Sequence, residues 1–219
     1  MPKPDLRLYG LLDASLGAER LPILARQAAE NGATLLQYRD KTAGTRDLVE
    51  SACAIRAALE GTGVPLLVND RVDVALAAGA AGVHLGREDM APEDARALLG
   101  PRAIVGITVK NEADALGAAS PAVDYACIGG VFETLSKRNP DPPVGLAGLA
   151  ALRRLVASLS PDLPVGAIAG IDAERLASVL AAGADGIAVI SALFHSDDVP
   201  RTAGSLRAAV DAGLSGRPA

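Results

Sequence analysis

ATLLQYRDK, residues 33–41, is an apolar run that ends in three strong polar side chains set one residue apart: Gln37, Arg39 and Lys41. Side chains at i, i+2 and i+4 of a strand share one face. Extended geometry carried through to Lys41 therefore gathers an amide, a guanidinium and an ammonium on one side of a strand end. Ahead of them, Ala33, Leu35 and Leu36 do not alternate with polar residues as a solvated surface strand would. The strand is expected to be covered on both faces, as parallel strands are in α/β proteins, where the strand carboxyl ends border the site.

Outward from this stretch the same unit recurs. Short apolar strands are expected near residues 6–12, 34–39, 66–69, 82–85, 104–108, 125–128, 165–168 and 186–190. Ala- and Leu-rich helices are expected near 21–31, 46–59, 72–77, 92–99, 112–118, 149–159, 173–181 and 201–212. Pro92 suits a first helical turn, and Gly79, Gly100 and Gly183 follow helical runs where a terminal glycine belongs. Eight strands alternating with eight helices predict an α/β chain folded as a single (β/α)8 TIM barrel, one domain over residues 1–219. An open doubly wound sheet is the alternative, since alternation alone does not require closure. At 219 residues the chain falls in the range of roughly 200–250 that a barrel commonly occupies.

AGAAGVHLG at 78–86 and AGADGIAVI at 182–190 lead into the fourth and eighth strands, half a barrel apart. A need for small residues at every helix-to-strand turn explains the echo as readily as duplication does. The longest irregular piece, 129–145 (GGVFETLSKRNPDPPVG), is proline-rich in its second half. Loops of that length inside compact folds are usually functional. Half of the residues are hydrophobic, the formal net charge is −5, and there is no Trp. That balance argues against a general nucleic-acid or membrane-surface binder. Cys53 and Cys127 lie in apolar elements without metal-binding spacing and are expected to be reduced core residues of a cytoplasmic protein. No basic-then-apolar leader opens the sequence, and no apolar run reaches the ~18 residues of a membrane span.

The strand ends, taken in order, collect chemistry on one rim. Strand two offers Gln37, Arg39 and Lys41; strand three, Asn69 and Asp70; strand four, Arg87, Glu88 and Asp89. Strand five ends at Thr108 with Lys110 beyond, and strand six opens onto Thr134, Ser136 and Lys137. Strands seven and eight stop at Ala169-Gly170 and Ile190-Ser191. Backbone amides at Gly170, Ile190 and Ser191 stand where barrels often cradle a phosphate, and glycine allows close approach. Asp70 and Asp89 are two carboxylates of the kind that Mg²⁺ takes from protein, although a helix cap for Asp70 and a solvated loop for Asp89 are the plain alternatives. Arg39, Lys41 and Lys137 are cations suited to holding a diphosphate and stabilising it as it leaves. His84, within strand four, is expected to be a packed, hydrogen-bonded histidine, and His195 a surface one. No nucleophile–base order and no zinc motif is present.

YGLLD, LLQYRDK, LLVNDRVDVAL, AGVHLGREDM, GITV, DYACIGGVFETLSK, AIAGI and GIAVIS follow one another in the order of the thiamine-phosphate synthase family, and over nearly its whole length the chain resembles that family. QYRDK, VND and HLGREDM are specific in combination. The resemblance implies joining of a hydroxymethylpyrimidine diphosphate to a thiazole phosphate, giving thiamine phosphate and diphosphate. It further implies that diphosphate departs first and that the thiazole nitrogen captures the resulting pyrimidine-methyl cation. Carried over by motif, Gln37, Tyr38, Arg39, Asp40, Lys41, Asn69, Thr108 and Lys137 would hold the pyrimidine diphosphate. Thr134, Leu135, Ser136, Gly170, Ile190 and Ser191 would hold the thiazole phosphate, Asp70 and Asp89 would bind Mg²⁺, and Arg39, Lys41 and Lys137 would be catalytic. Three positions depart from the family pattern: Thr108 and Ala169 replace the usual Ser and Gly, and Ser136 replaces the usual second Thr of its loop. The expected partners are the two small-molecule substrates, with neither nucleic acid nor membrane, and a homo-oligomer is left open. Rival readings are a thiazole tautomerase, which needs no metal or pyrimidine site, and a non-catalytic barrel that binds thiamine phosphates.

Overall fold

The computed structural model describes residues 3–134 and 142–216. Its strands are β1 (Leu8–Asp13), β2 (Leu35–Arg39), β3 (Leu66–Asn69), β4 (Gly82–Leu85), β5 (Ile104–Val109), β6 (Tyr125–Ile128), β7 (Val165–Ile168) and β8 (Gly186–Val189). All pair in parallel and in sequence order, and β1 pairs with β8, so the barrel is closed and the open-sheet alternative falls away. The helices are α1 (Leu21–Glu30), α2 (Thr45–Ala58), α3 (Val72–Ala78), α4 (Pro92–Leu99), α5 (Glu112–Gly117), α6 (Gly145–Leu159), α7 (Ala173–Ala181), α8 (Ser191–Phe194) and α9 (Val199–Ser215).

Most of these elements fall where periodicity expects them. The differences have local causes. β1 begins two residues later than expected and runs on through Asp13, whose carboxylate then accepts from the Ser15 amide at 3.1 Å and caps a short 3₁₀ turn, Ala14–Leu16. Helix α8 is only four residues long, too short to leave a periodic trace in the sequence. α9 starts earlier than expected because Asp198 caps it, accepting from the Arg201 amide at 3.0 Å. No helix among the described residues is long and apolar enough to cross a membrane.

Strand alternation divides the core in two. Tyr9, Leu11, Leu35, Leu67, Tyr125, Cys127 and Ala188 point inward and fill the barrel. Their neighbours Leu8, Leu12, Leu36, Tyr38, Val68, Val83 and Ile187 point outward into the helical layer. Both faces of each strand are thereby covered, which is why residues 33–36 show no polar alternation. Gly82 and Gly186, equivalent members of the two echoed segments, explain that echo physically. A Cβ on Gly82 would lie 1.8 Å from the Ile104 carbonyl oxygen, and one on Gly186 would lie 1.8 Å from the Leu6 carbonyl oxygen. The small residue is demanded by a neighbouring backbone, beyond what a turn would ask.

Candidate active site

A cavity of about 850 Å³ opens at the carboxyl ends of the strands. Gln37, Arg39, Asn69, Thr108, Thr134, Gly170, Ile190 and Ser191, all drawn from the sequence, line it together. Its floor carries a chain of hydrogen bonds that crosses five strands. The Gln37 amide donates to the Tyr9 hydroxyl, Tyr9 and Tyr125 share a bond of 2.8 Å, and His84 links Tyr125 to Thr108 through Nδ1 and Nε2, each at 2.8 Å. His84 is thus the packed, bonded histidine expected, yet it also borders the cavity. Burial pushes both tyrosine hydroxyls well above their ordinary range and the Cys127 thiol up to about 12, so these groups are neutral.

At the end of β2 the extended geometry stops at Arg39. Asp40 accepts from the amides of Thr42 at 2.8 Å and Ala43 at 3.0 Å, which turns the chain. The Asp40 carboxylate accordingly serves the turn, and Asp40 is not among the residues that line the cavity. The period-two alternation that aims Gln37 and Arg39 inward aims the Tyr38 ring into the helical layer, where it is 2% exposed and bonds toward Ser51 and Asp40. Arg39 is anchored by Asp13 at the end of β1, with the two side chains 15% and 12% exposed. Burial alone would raise the Asp13 carboxyl, but hydrogen bonds from Ser15 and Arg39 hold it below the usual carboxylate range.

Lys41, carried past the turn, reaches Asp70 instead of sharing a face with Arg39. Asp70 is not a helix cap: Arg71 holds that position in front of α3 without a side-chain bond. The Asp70 backbone sits at φ 62°, a left-handed conformation that Asp adopts more readily than most residues other than glycine, and its amide donates to the His84 carbonyl at 2.9 Å. Asp89 is not a solvated loop residue either. Its Oδ2 accepts from the Gly86 amide at 2.7 Å, and burial, followed by the neighbouring Asp70 carboxylate, pushes it up to about 6. Two carboxylates crowded together, with Lys41 as counter-charge, are a donor set suited to a hard divalent cation. No group of three or more such ligands exists among the described residues. Asp70, Asp89 and Lys41 stand together beside the cavity wall and are not part of its lining.

Across the mouth, β7 exits through Ala169 at φ 90° and Gly170 at φ 63°. A Cβ on Gly170 would lie 2.4 Å from the Glu133 carbonyl oxygen. The root of the β6–α6 loop is laid directly on this turn by Val131 N to Ile168 O and Phe132 N to Ala169 O, both 3.1 Å. Leu135, Ser136 and Lys137, expected in that loop, lie outside the described residues. For Ala169, restoring the family's glycine removes a strain of about 1–2 kcal/mol for an L-residue at positive φ, offset in part by glycine's greater unfolded-state freedom. Ala169→Gly is therefore expected to raise Tm by about 2–4 °C; a scan showing a fall would refute the strain.

Sequence reasoning missed Tyr9, Asp13 and Tyr125, whose roles depend on partners far away in the chain, and Arg175, which borders the cavity. His195 is exposed, as expected, and also borders the cavity.

A family model described as thiamine monophosphate synthase matches residues 8–193. The thiamine-phosphate synthase of Agrobacterium fabrum is 59% identical over 218 residues, covering 99% of each chain. That of Chloroflexus aurantiacus is 44% identical over 207 residues, 94% of this chain and 93% of its own. Among solved structures, the thiamine phosphate pyrophosphorylase of Pyrococcus furiosus superposes with a TM-score of 0.84 at 38% identity, covering 96% of this chain and 98% of its own. The orotidine 5'-phosphate decarboxylase of Pyrococcus horikoshii, at 14% identity and a TM-score of 0.68, shares the fold alone. Coverage from β1 to α8 at such identity leaves one conclusion: the chain belongs to the thiamine monophosphate synthase family.

Proposed function

We propose that this barrel, working as one domain over residues 1–219, joins hydroxymethylpyrimidine diphosphate to thiazole phosphate, forming thiamine phosphate and releasing diphosphate. The observation that carries the reading is the division of one mouth into two sides. Asp70, Asp89, Lys41 and the Asp13-anchored Arg39 stand on the β1–β4 side, while Gly170, Ile190 and Ser191 stand on the β7–β8 side.

In this reading the pyrimidine ring lies over the neutral floor, against Gln37 and Thr108, with Asn69 beside it. Its diphosphate extends to the cationic rim, where Arg39 presents a preorganised guanidinium to the charge that builds on the leaving oxygen. Lys41 and Lys137 add point charges to the same group. Asp70 and Asp89 would hold Mg²⁺, which when bound neutralises diphosphate oxygens and assists their departure. The thiazole is seated by its phosphate at Gly170, Ile190 and Ser191, with Thr134 and the loop residues Leu135 and Ser136 beside it, and its nitrogen faces the carbon that loses diphosphate. Departure and capture require no protein nucleophile. The tyrosines and Cys127, held neutral by burial, are poor competitors for the cation.

Incubation with both substrates and Mg²⁺ is expected to yield thiamine phosphate and diphosphate in equal amounts, with loss of activity on chelation and recovery on adding Mg²⁺. Isomerisation of the thiazole without coupling would favour a tautomerase. Binding without turnover would favour a sensing barrel.

A further inference from the structure

The cradle after β7 and β8 has a cation at its edge. Arg175 lies in the first turn of α7 and borders the same cavity as Gly170, Ser191 and His195. Its Nη1 donates to the Gly170 carbonyl at 2.7 Å, and its guanidinium carbon is 4.8 Å from the centroid of the Phe132 ring. Side-chain atoms of Arg175 thus touch both the glycine turn and the root of the β6–α6 loop packed on it.

Little else holds the guanidinium. The Asp172 Oδ1 is occupied as the cap of α7, accepting from the Arg175 amide at 2.9 Å. Its Oδ2 is 3.8 Å from Nη1, with both side chains about half exposed, 48% and 49%. An exposed pair at that separation contributes little. Nε and Nη2 donate to no protein acceptor among the described residues. The ring of Phe132 keeps the guanidinium plane in place while leaving its hydrogen-bonding edge open. Asp172 and Glu133 also border the cavity, so an anion seated beside them is favoured by a cation on the same edge.

We propose that Arg175 reads the phosphate of the second substrate, donating from Nε and Nη2 to the phosphate oxygens and thereby selecting the phosphorylated thiazole over its free alcohol. The proposal rests on the synthase reading and adds a charged side chain to the backbone amides and hydroxyls of that site. A planar fork is the donor geometry that suits phosphate.

Arg175→Met keeps the length and apolar contact with Phe132 and removes the charge. Calorimetric binding of thiazole phosphate is expected to weaken about 10–100-fold, in keeping with lost hydrogen bonds to a charged group. Binding of the thiazole alcohol is expected to change less than about twofold, and Arg175→Lys to recover part of the loss as a point charge. In coupled turnover the loss should appear in KM for the phosphorylated substrate and leave kcat nearly unchanged. Equal weakening toward both thiazoles would assign Arg175 a merely structural role and overturn the proposal, as would unchanged binding of thiazole phosphate. A wild-type protein that binds thiazole phosphate but forms no product would instead overturn the synthase reading and leave this binding comparison valid.

Discussion

Gly186→Ala is expected to cost the barrel about 4 kcal/mol or more, placing it among the exceptional single substitutions. The added methyl would lie 1.8 Å from the Leu6 carbonyl oxygen, 2.2 Å from its carbon and 2.7 Å from the Arg7 nitrogen. All three atoms are backbone, so no side-chain rotation can relieve the clash. β8 would have to move away from β1, the pair that closes the barrel. Thermal unfolding followed by circular dichroism should show Tm lowered by about 8–16 °C, or no soluble protein at all. Gly204→Ala is the control. That glycine lies inside α9, its nearest neighbour to an added Cβ is Asn31 O at 3.7 Å, and alanine there should stabilise by about 0.5–1 kcal/mol. If both variants melt with wild type, close strand approach is not what requires glycine at 186.

Arg39→Ala is expected to lower kcat about 10²–10³-fold, the effect of removing one preorganised donor from a developing negative charge. The loss arises from two sources that can be separated. Catalysis loses a cation beside the leaving diphosphate, and the fold retains an Asp13 carboxylate, 12% exposed, without its partner. Removing Asp13 as well, in an Asp13→Ala/Arg39→Ala double variant, should restore much of the lost stability and none of the lost activity. Arg39→Lys should fall between, because an ammonium cannot reproduce the fork. The checks are steady-state formation of thiamine phosphate at saturating substrates together with a melting curve for each variant. Turnover within a few-fold of wild type in Arg39→Ala would remove this residue from the leaving-group site.

The sequence disclosed the architecture because each strand is covered on both sides and each helix carries its own boundary signals. Uninterrupted apolar runs such as 66–68 and 125–128 have few other homes. Alternation also separates Gln37 and Arg39, which line the cavity, from Tyr38, whose ring packs outward. What could not be read locally was the turn made by Asp40, since an Asp that bonds the backbone two residues on looks the same in sequence as one that binds substrate. Tyr9, Asp13 and Tyr125 act through partners on other strands, and only the closed register joins them. Arg175 had a local hint, five residues past the glycine turn of β7. An arginine in a first helical turn, however, is more often solvated than aimed at a cavity.

The chain of hydrogen bonds across the floor pivots on one imidazole. The Gln37 amide nitrogen donates to the Tyr9 oxygen, while the Tyr9–Tyr125 bond can run either way and the two His84 bonds follow the imidazole tautomer. His84 therefore couples the hydroxyls on its two sides: the ring nitrogen that carries hydrogen donates to its neighbour, and the other accepts. Five side chains from as many strands thus act as one unit, and moving the imidazole hydrogen from one nitrogen to the other would turn the Tyr125 and Thr108 hydroxyls together.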